Sequence, residues 1–275
     1  MYTLIDSLED LTFLNSELLS KPYVGIDTEF RRTTKNNMKL ALLQINDDEE
    51  IFLIDTLLID NPKDQVSFLF SDDVLKIFHS CKEDFEAIYS WTNNEMINIF
   101  DTQLADSLLG NNYSISYQDL VEKKLGILLE KKETRSNWIR RPLSDSQLKY
   151  AALDVEYLIY IYKEQIAELV KSDKLHWLNE DIERLKKQIF RPEIDLLDSP
   201  RTISKAQEND LLSRLNMLVE RIAIKEDINQ TLFFSKKSQK EFLRCVLNDG
   251  IDVACQGITN WRASLIKEEI LHLLK

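Results

Sequence analysis

The chain reads as an α/β protein, a mixed sheet flanked by helices, followed by a small all-helical domain. Three observations predict this. Short β-branched or apolar runs alternate with amphipathic helical stretches through the first part of the chain. Two of these runs, Met38–Ile45 and Glu50–Ile54, are joined by the polar turn Asn46-Asp47-Asp48-Glu49, which suits a hairpin and makes the sheet mixed rather than parallel throughout. Beyond a stretch carrying Pro192, Pro200 and several charges, only helical periodicity continues.

Taken in order, Ser7 opens a helix to about Leu19, and Tyr23–Glu29 reads as the first core strand. Lys39–Ile45, Ile51–Ile54, Leu75–His79 and Ile97–Phe100 follow as further strands. Ser80 with Glu83 three residues on has the pattern of a capping box, which begins a helix. Ser144 with Gln147 repeats it ahead of one long helix expected to reach about Val170. Ile182–Gln207 lacks a strong apolar period and is expected to be a connector. After it, Leu211, Leu215, Leu218, Val219 and Ile222 mark an amphipathic helix, with further helices around Gln239–Leu247 and Ser264–Leu274.

With 275 residues, 44% hydrophobic and 30% charged, the chain has room for one large core plus a smaller appended domain, and its composition is that of a folded globular protein. No apolar run approaches the length of a membrane span, and Met1-Tyr2-Thr3-Leu4-Ile5-Asp6 lacks the plan of a secretory signal, so no membrane association and a cytoplasmic location are expected. Cys81, Cys245 and Cys255 are far apart and odd in number, which speaks against structural zinc and a disulfide framework. The formal charge of −12 disfavours a protein that coats a polyanion, while leaving room for one that grips a few phosphates and recruits cations to an acidic centre.

Three separated stretches carry acidic side chains. In Val24-Gly25-Ile26-Asp27-Thr28-Glu29-Phe30, Asp27 and Glu29 are two apart on a strand and project from one face. Two adjacent carboxylates raise one another's pKa unless a cation intervenes, and a hard divalent ion takes oxygen ligands. Alone, Asp-x-Glu is better read as the solvated face of an edge strand, because the pattern is common by chance. Asp84 lies in a helix's first turn just past a strand, where helix stabilisation by itself accounts for a carboxylate; the same kind of sheet edge also gathers ligands. Tyr150 and Asp154, four apart on a helix, share a face with Tyr157 and Ile161 that is too apolar for free solvation. A Tyr–Asp contact at the core rim and a metal-held Asp both fit that placement.

The combination resembles the ribonuclease D family of DEDD 3′–5′ exonucleases, in the subgroup whose third motif is Tyr-x-x-x-Asp. The resemblance rests on Gly25-Ile26-Asp27-Thr28-Glu29-Phe30, Phe78-His79-Ser80-Cys81-Lys82-Glu83-Asp84, Phe100-Asp101-Thr102-Gln103, Arg135-Ser136-Asn137-Trp138, Arg141-Pro142-Leu143 and Tyr150-Ala151-Ala152-Leu153-Asp154. It implies a ribonuclease H-like fold over residues 1–190, two bound Mg²⁺ or Mn²⁺ ions, and hydrolysis of RNA from a free single-stranded 3′ end to nucleoside 5′-monophosphates. It further implies that Asp27 bridges both ions, that Glu29 and Asp154 complete the shell of the ion that activates water, that Asp84 holds the second ion, and that Tyr150 orients the attacking water. In this family the activity trims precursors of transfer and other structured RNAs. No obligate protein partner is implied.

Residues 191–209 are expected as a linker. Residues 210–275 resemble a helicase-and-RNase-D C-terminal (HRDC) domain, on Leu218-Val219-Glu220-Arg221, Ile224-Lys225-Glu226-Asp227-Ile228-Asn229 and Gly257-Ile258-Thr259-Asn260-Trp261-Arg262. Some family members carry two such domains; this chain has length for roughly one. Arg135, Trp138 and Arg141, with Arg140, are candidates to meet phosphate and stack on a base, although an arginine-rich loop around a packing tryptophan fits the residues as well. His79 at a strand end suits a structural role, and Asp101 and Gln103 suit bracing of the next helix. Two other readings stay open: the same chemistry on single-stranded DNA, and a non-catalytic RNA-binding protein.

Overall fold

The computed structural model describes residues 2–34, 37–59, 62–129, 133, 136–192 and 200–274, with only the backbone described at Lys63. Arg135 and residues 193–199 of the expected linker lie outside the described residues. The strands are β1 Thr3–Ile5, β2 Tyr23–Thr34, β3 Asn37–Asn46, β4 Ile51–Ile54, β5 Leu75–Phe78 and β6 Ile99–Asp101. The helices are α1 Leu8–Leu18, α2 Lys82–Thr92, α3 Thr102–Leu108, α4 Tyr117–Leu125, α5 Asp145–Glu156, α6 Leu158–Lys171, α7 Leu175–Phe190, α8 Lys205–Lys225, α9 Gln230–Phe233, α10 Lys236–Asp249, α11 Ile251–Gln256 and α12 Asn260–Leu273. No helix among the described residues is long and apolar enough to cross a membrane.

The chain divides into two compact units, residues 1–104 with 114–168 and residues 105–113 with 169–275. In the first, a single six-stranded sheet runs in the order β1-β4-β3-β2-β5-β6. β1 pairs parallel with β4, β5 lies parallel between β2 and β6, and β3 runs antiparallel to both β2 and β4, so the sheet is mixed as the Asn46–Glu49 hairpin signal requires. Val24 and Ile26 of β2, Leu40–Leu43 and Ile45 of β3, and Leu53 and Ile54 of β4 form the buried centre. The face that each residue takes follows the strand period of two. A Cβ on Gly25 would stand 3.2 Å from the Leu158 side chain, and Asn46 bonds the end of α5, whereas Thr28 bonds Asp84 of α2. Helices α5 and α2 therefore cover opposite faces.

Local chemistry explains the helix boundaries. Ser7 accepts from the Asp10 N–H to start α1, and Ser144 with Gln147 makes a full capping box for α5. The long helix expected from Ser144 to Val170 is instead two helices, because Tyr157 leaves helical geometry (φ −108°, ψ 0°) and its N–H turns to the Tyr117 hydroxyl at 2.9 Å. Ser80 does not cap α2. It sits at φ 64°, Cys81 precedes the helix, and the Asp101 carboxylate accepts from the N–H groups of both. Asp101 also accepts from the Gln103 and Leu104 N–H groups, so it does brace α3.

In the second unit, α7 begins well before the boundary expected at residue 190 and groups with the C-terminal helices. Residues 182–190, expected as part of a connector, are helical. The inward residues of α7 include charged Asp181 and Lys186 beside Trp177, Leu178 and Ile182, while Leu175, Leu178, Ile182, Leu185 and Ile189 keep helical spacing along it. Trp177 stacks on Trp261 with ring centroids 4.7 Å apart and an interplanar angle of 10°, and Arg262 lies over the Trp261 ring while pairing with Asp181. Ser204 and Gln207 form the capping box of α8, whose Leu215, Leu218, Val219 and Ile222 are buried, as their spacing predicts.

Candidate metal centre

The site begins with β2. Asp27 and Glu29 leave the same face of the strand, and a register shift follows directly after Glu29. Such irregularities re-aim a strand next to a site. The absence of a side chain at Gly25 lets the α5–α6 junction come down on this face. Asn46 Nδ2 then donates to the Val155 and Glu156 carbonyls at 3.0 and 3.1 Å, fixing the C-terminal end of α5. That placement carries Asp154 over β2. Ligand oxygens of Asp27, Glu29 and Asp154 all lie within 4.8 Å of one another.

Asp84 reaches the same neighbourhood from α2. It is buried, its carboxylate accepts a 2.6 Å hydrogen bond from Thr28 Oγ1, and it feels the charge of Asp27. The Tyr150 hydroxyl donates to Asp154 one helical turn on. The structure thus brings Asp27, Glu29, Asp84, Asp154 and Tyr150 together.

Their electrostatics are those of carboxyl groups crowded together, Asp84 buried and Asp27, Glu29 and Asp154 half-buried. Burial, then the charge of Asp154, pushes the Asp27 carboxyl well above its ordinary range. Burial and the charges of Asp27, Asp154 and Asp84 raise Glu29 to about 10. Burial lifts Asp154 to about 7 against the opposing hydrogen bond from Tyr150. Asp84 is raised by burial and Asp27, opposed by Thr28. A hard divalent cation fits this donor set: it takes carboxylate oxygens and removes the repulsion that holds protons on the cluster.

The predicted substrate contacts fare differently. Arg141 spends its guanidinium inside the protein, with Nε and Nη2 on the Asp55 carboxylate, Nη2 on the Ala41 carbonyl at 2.8 Å, and Nη1 on the Trp138 carbonyl at 2.6 Å. It ties its loop to β3 and the end of β4 rather than offering a free phosphate ligand. Trp138 is buried, 4% exposed, with its ring 6.2 Å from that of Tyr150, so it packs behind the site instead of presenting a stacking face. Arg32 pairs with Glu86 and Glu83 of α2. Both ring nitrogens of His79 are bonded, to Thr102 Oγ1 and the Ile115 carbonyl, each at 2.9 Å, consistent with a structural histidine.

Two neighbours of the cluster carry no motif in the sequence. Tyr117 of α4 is buried, and the charges of Asp154 and Asp27 add to burial in raising its phenol. Gln44 of β3 stands directly across the ladder from Asp27. Tyr117 gives no sequence signal; Gln44 becomes visible only once the strand register is known.

A mixed sheet with helices on both faces and acidic groups converging on one strand defines a class, the 3′-5′ exonuclease domain. The profile of the 3′-5′ exonuclease family matches residues 2–169, and the chain belongs to that family. Its curated relatives include ribonucleases D. The Shewanella sp. (strain ANA-3) enzyme is 36% identical over 186 residues, 67% of this chain and 48% of the relative. The chain spans about half the length of the curated relatives it matches first. Among solved structures, Escherichia coli RNase D, described as an exoribonuclease involved in structured RNA processing, aligns over 100% of this chain and 74% of its own at 24% identity and a TM-score of 0.65. Brucella melitensis NrnC with bound Mg²⁺ aligns over 70% of this chain and 94% of its own at 21% identity and a TM-score of 0.56. Both share the exonuclease fold.

Proposed function

We propose that this protein is a divalent-metal-dependent 3′–5′ exoribonuclease that releases nucleoside 5′-monophosphates from RNA with a free single-stranded 3′ end. The observation that carries the reading is the convergence of the Asp27, Glu29 and Asp154 oxygens within 4.8 Å, inside an exonuclease-family domain. Asp27 would be the shared ligand, Glu29 and Asp154 would complete one cation position, and Asp84 would serve the other. Mg²⁺ or Mn²⁺ held there would supply an activated water and neutralise charge on the attacking and leaving oxygens. Tyr150 orients the water rather than deprotonating it, since a phenol's ordinary pKa is about 10. Its present bond to Asp154 holds that hydroxyl at the cluster.

The relatives' name supports RNA as the substrate, and the description of the Escherichia coli RNase D structure supports structured RNA processing; trimming of transfer and other structured RNA precursors is the task we propose within that. We further propose an HRDC-like fold for the C-terminal helices, with residues 210–275 as its body, and a cytoplasmic location. The decisive experiment incubates the protein with a 5′-labelled RNA with and without Mg²⁺ or Mn²⁺, beside an Asp154→Asn control. The expected result is a ladder shortening from the 3′ side that vanishes with chelator and in the variant. Internal cuts, or decay indifferent to chelator, would assign a different reaction. Single-stranded DNA is the rival substrate, and competing oligonucleotides separate the two through recognition of the 2′-hydroxyl.

A further inference from the structure

Gln44 is wholly buried, and neither Nε2 nor Oε1 of its carboxamide has a hydrogen-bond partner. Buried amides are almost always paired, so an orphan of this kind calls for an explanation. The ladder supplies one. Gln44 pairs with Asp27 on β2 and with Leu53 on β4, and its same-face neighbours along β3 are Leu42 and Asn46. Directly opposed residues of an antiparallel pair hold their Cβ atoms about 5 Å apart and project from one face. Leu42 and Leu53 offer no polar side-chain atom. Asn46 is already committed, its Nδ2 to the Val155 and Glu156 carbonyls and its Oδ1 to the Asp48 N–H. Across and along the ladder, the Asp27 carboxylate is the polar neighbour left for the Gln44 amide.

We propose that Gln44 is a positioning residue for the metal centre: its Nε2–H donates to the Asp27 carboxylate when that group is ionised on a divalent cation, and fixes the rotamer in which Asp27 serves both cation positions. The inference rests on the two-cation reading above. A glutamine suits the task because it donates without adding charge to a cluster that already repels itself. A lysine would compete with the cation for Asp27, and a leucine would leave the carboxylate free to turn. Partners that orient a ligating carboxylate in this way typically matter by about 10–100-fold in metal affinity.

The test compares Gln44→Leu and Gln44→Met with wild type in three measurements: Mn²⁺ affinity by titration calorimetry, melting temperature without metal, and kcat and KM on a labelled RNA. The expected result is Mn²⁺ affinity weakened by about 10–100-fold and a lowered kcat with KM for RNA little changed. The metal-free melting temperature should hold or rise, because the substitutions remove an unpaired buried amide. An Mn²⁺ isotherm like that of wild type in either well-folded variant would overturn the inference. So would a fall of several degrees in the metal-free melting temperature of both variants, since the amide would then have a partner within the fold. A wild type that takes up no Mn²⁺ would remove the two-cation reading and this inference with it. A normal wild type beside an unaltered variant removes this inference alone.

Discussion

At the scale of single residues, the carboxylate cluster makes a signed prediction about pH. Glu29 at about 10 and Asp154 at about 7 are both raised above the ordinary carboxylate range, chiefly by burial. In the metal-free protein these groups bind more protons folded than unfolded, so stability falls as pH rises through the window between about 4 and those raised values. Thermal melts in chelator should therefore show a melting temperature that declines steadily from pH 5 to 9. Saturating Mg²⁺ or Mn²⁺ should flatten the decline, because the ions bind the deprotonated form. A metal-free melting temperature that climbs with pH would contradict the buried-anion account. Asp27→Asn should lower kcat by on the order of a thousandfold, about 4 kcal/mol, and raise metal-free stability at pH 8, because the amide has neither to hold a proton against solvent nor to repel its neighbours. Comparing single-turnover rates with melts on the same preparation checks both halves.

At the scale of elements, the site depends on how α5 is held against the sheet. Asn46→Ala removes the donor that engages two terminal carbonyls of α5 and should cost about 1–3 kcal/mol. It should also weaken Mn²⁺ binding, because Asp154 sits in the last turn so released. Urea melts and calorimetry on that variant test the two effects, and a destabilised protein with undiminished metal affinity would show that Asp154 is placed by other contacts. Elements were legible in the sequence where a local pattern determines them. Ile51–Ile54 is an apolar run after a polar turn, and it forms β4 with those bounds. Ser144 and Gln147 are adjacent enough to announce α5 by themselves. The three-residue strand β1 is too short for any alternation to register. The apolar residues Leu175, Leu178, Ile182, Leu185 and Ile189 keep helical spacing in α7, so the connector expected from Ile182 starts too early, and only the charged inward residues Asp181 and Lys186 are unexplained locally. Asp181 is satisfied there by Arg262 and the Trp261 indole N–H, partners far along the chain that no local window reveals. The same reason explains Ser80: the N–H groups ahead of α2 are taken by Asp101 from a neighbouring strand, which displaces the local cap. The acidic motifs were readable as a set because their residue types and spacing are local, whereas Gln44 and Tyr117 join the site only through register and packing.

At the scale of the whole molecule, the formal charge of −12 is joined by the commitment of Arg141 to Asp55 and of Arg32 to Glu86, so that among the described residues these two cations are already paired with carboxylates rather than open to a nucleic-acid backbone. Affinity for RNA should then depend only shallowly on salt once divalent ions are held constant, with a slope corresponding to about two or three phosphate contacts. Filter binding of a catalytically silent Asp27→Asn protein across a monovalent salt series measures this, and a steep slope would reveal a cationic surface outside the acidic site. The face-to-face indoles of Trp177 and Trp261, 4.7 Å apart in the helical unit, have an optical consequence. Two indoles so close couple their electronic transitions, giving a split circular-dichroism band that a single indole does not give. That band is a built-in spectroscopic reporter of the C-terminal helices, and it should disappear in a Trp177→Phe protein.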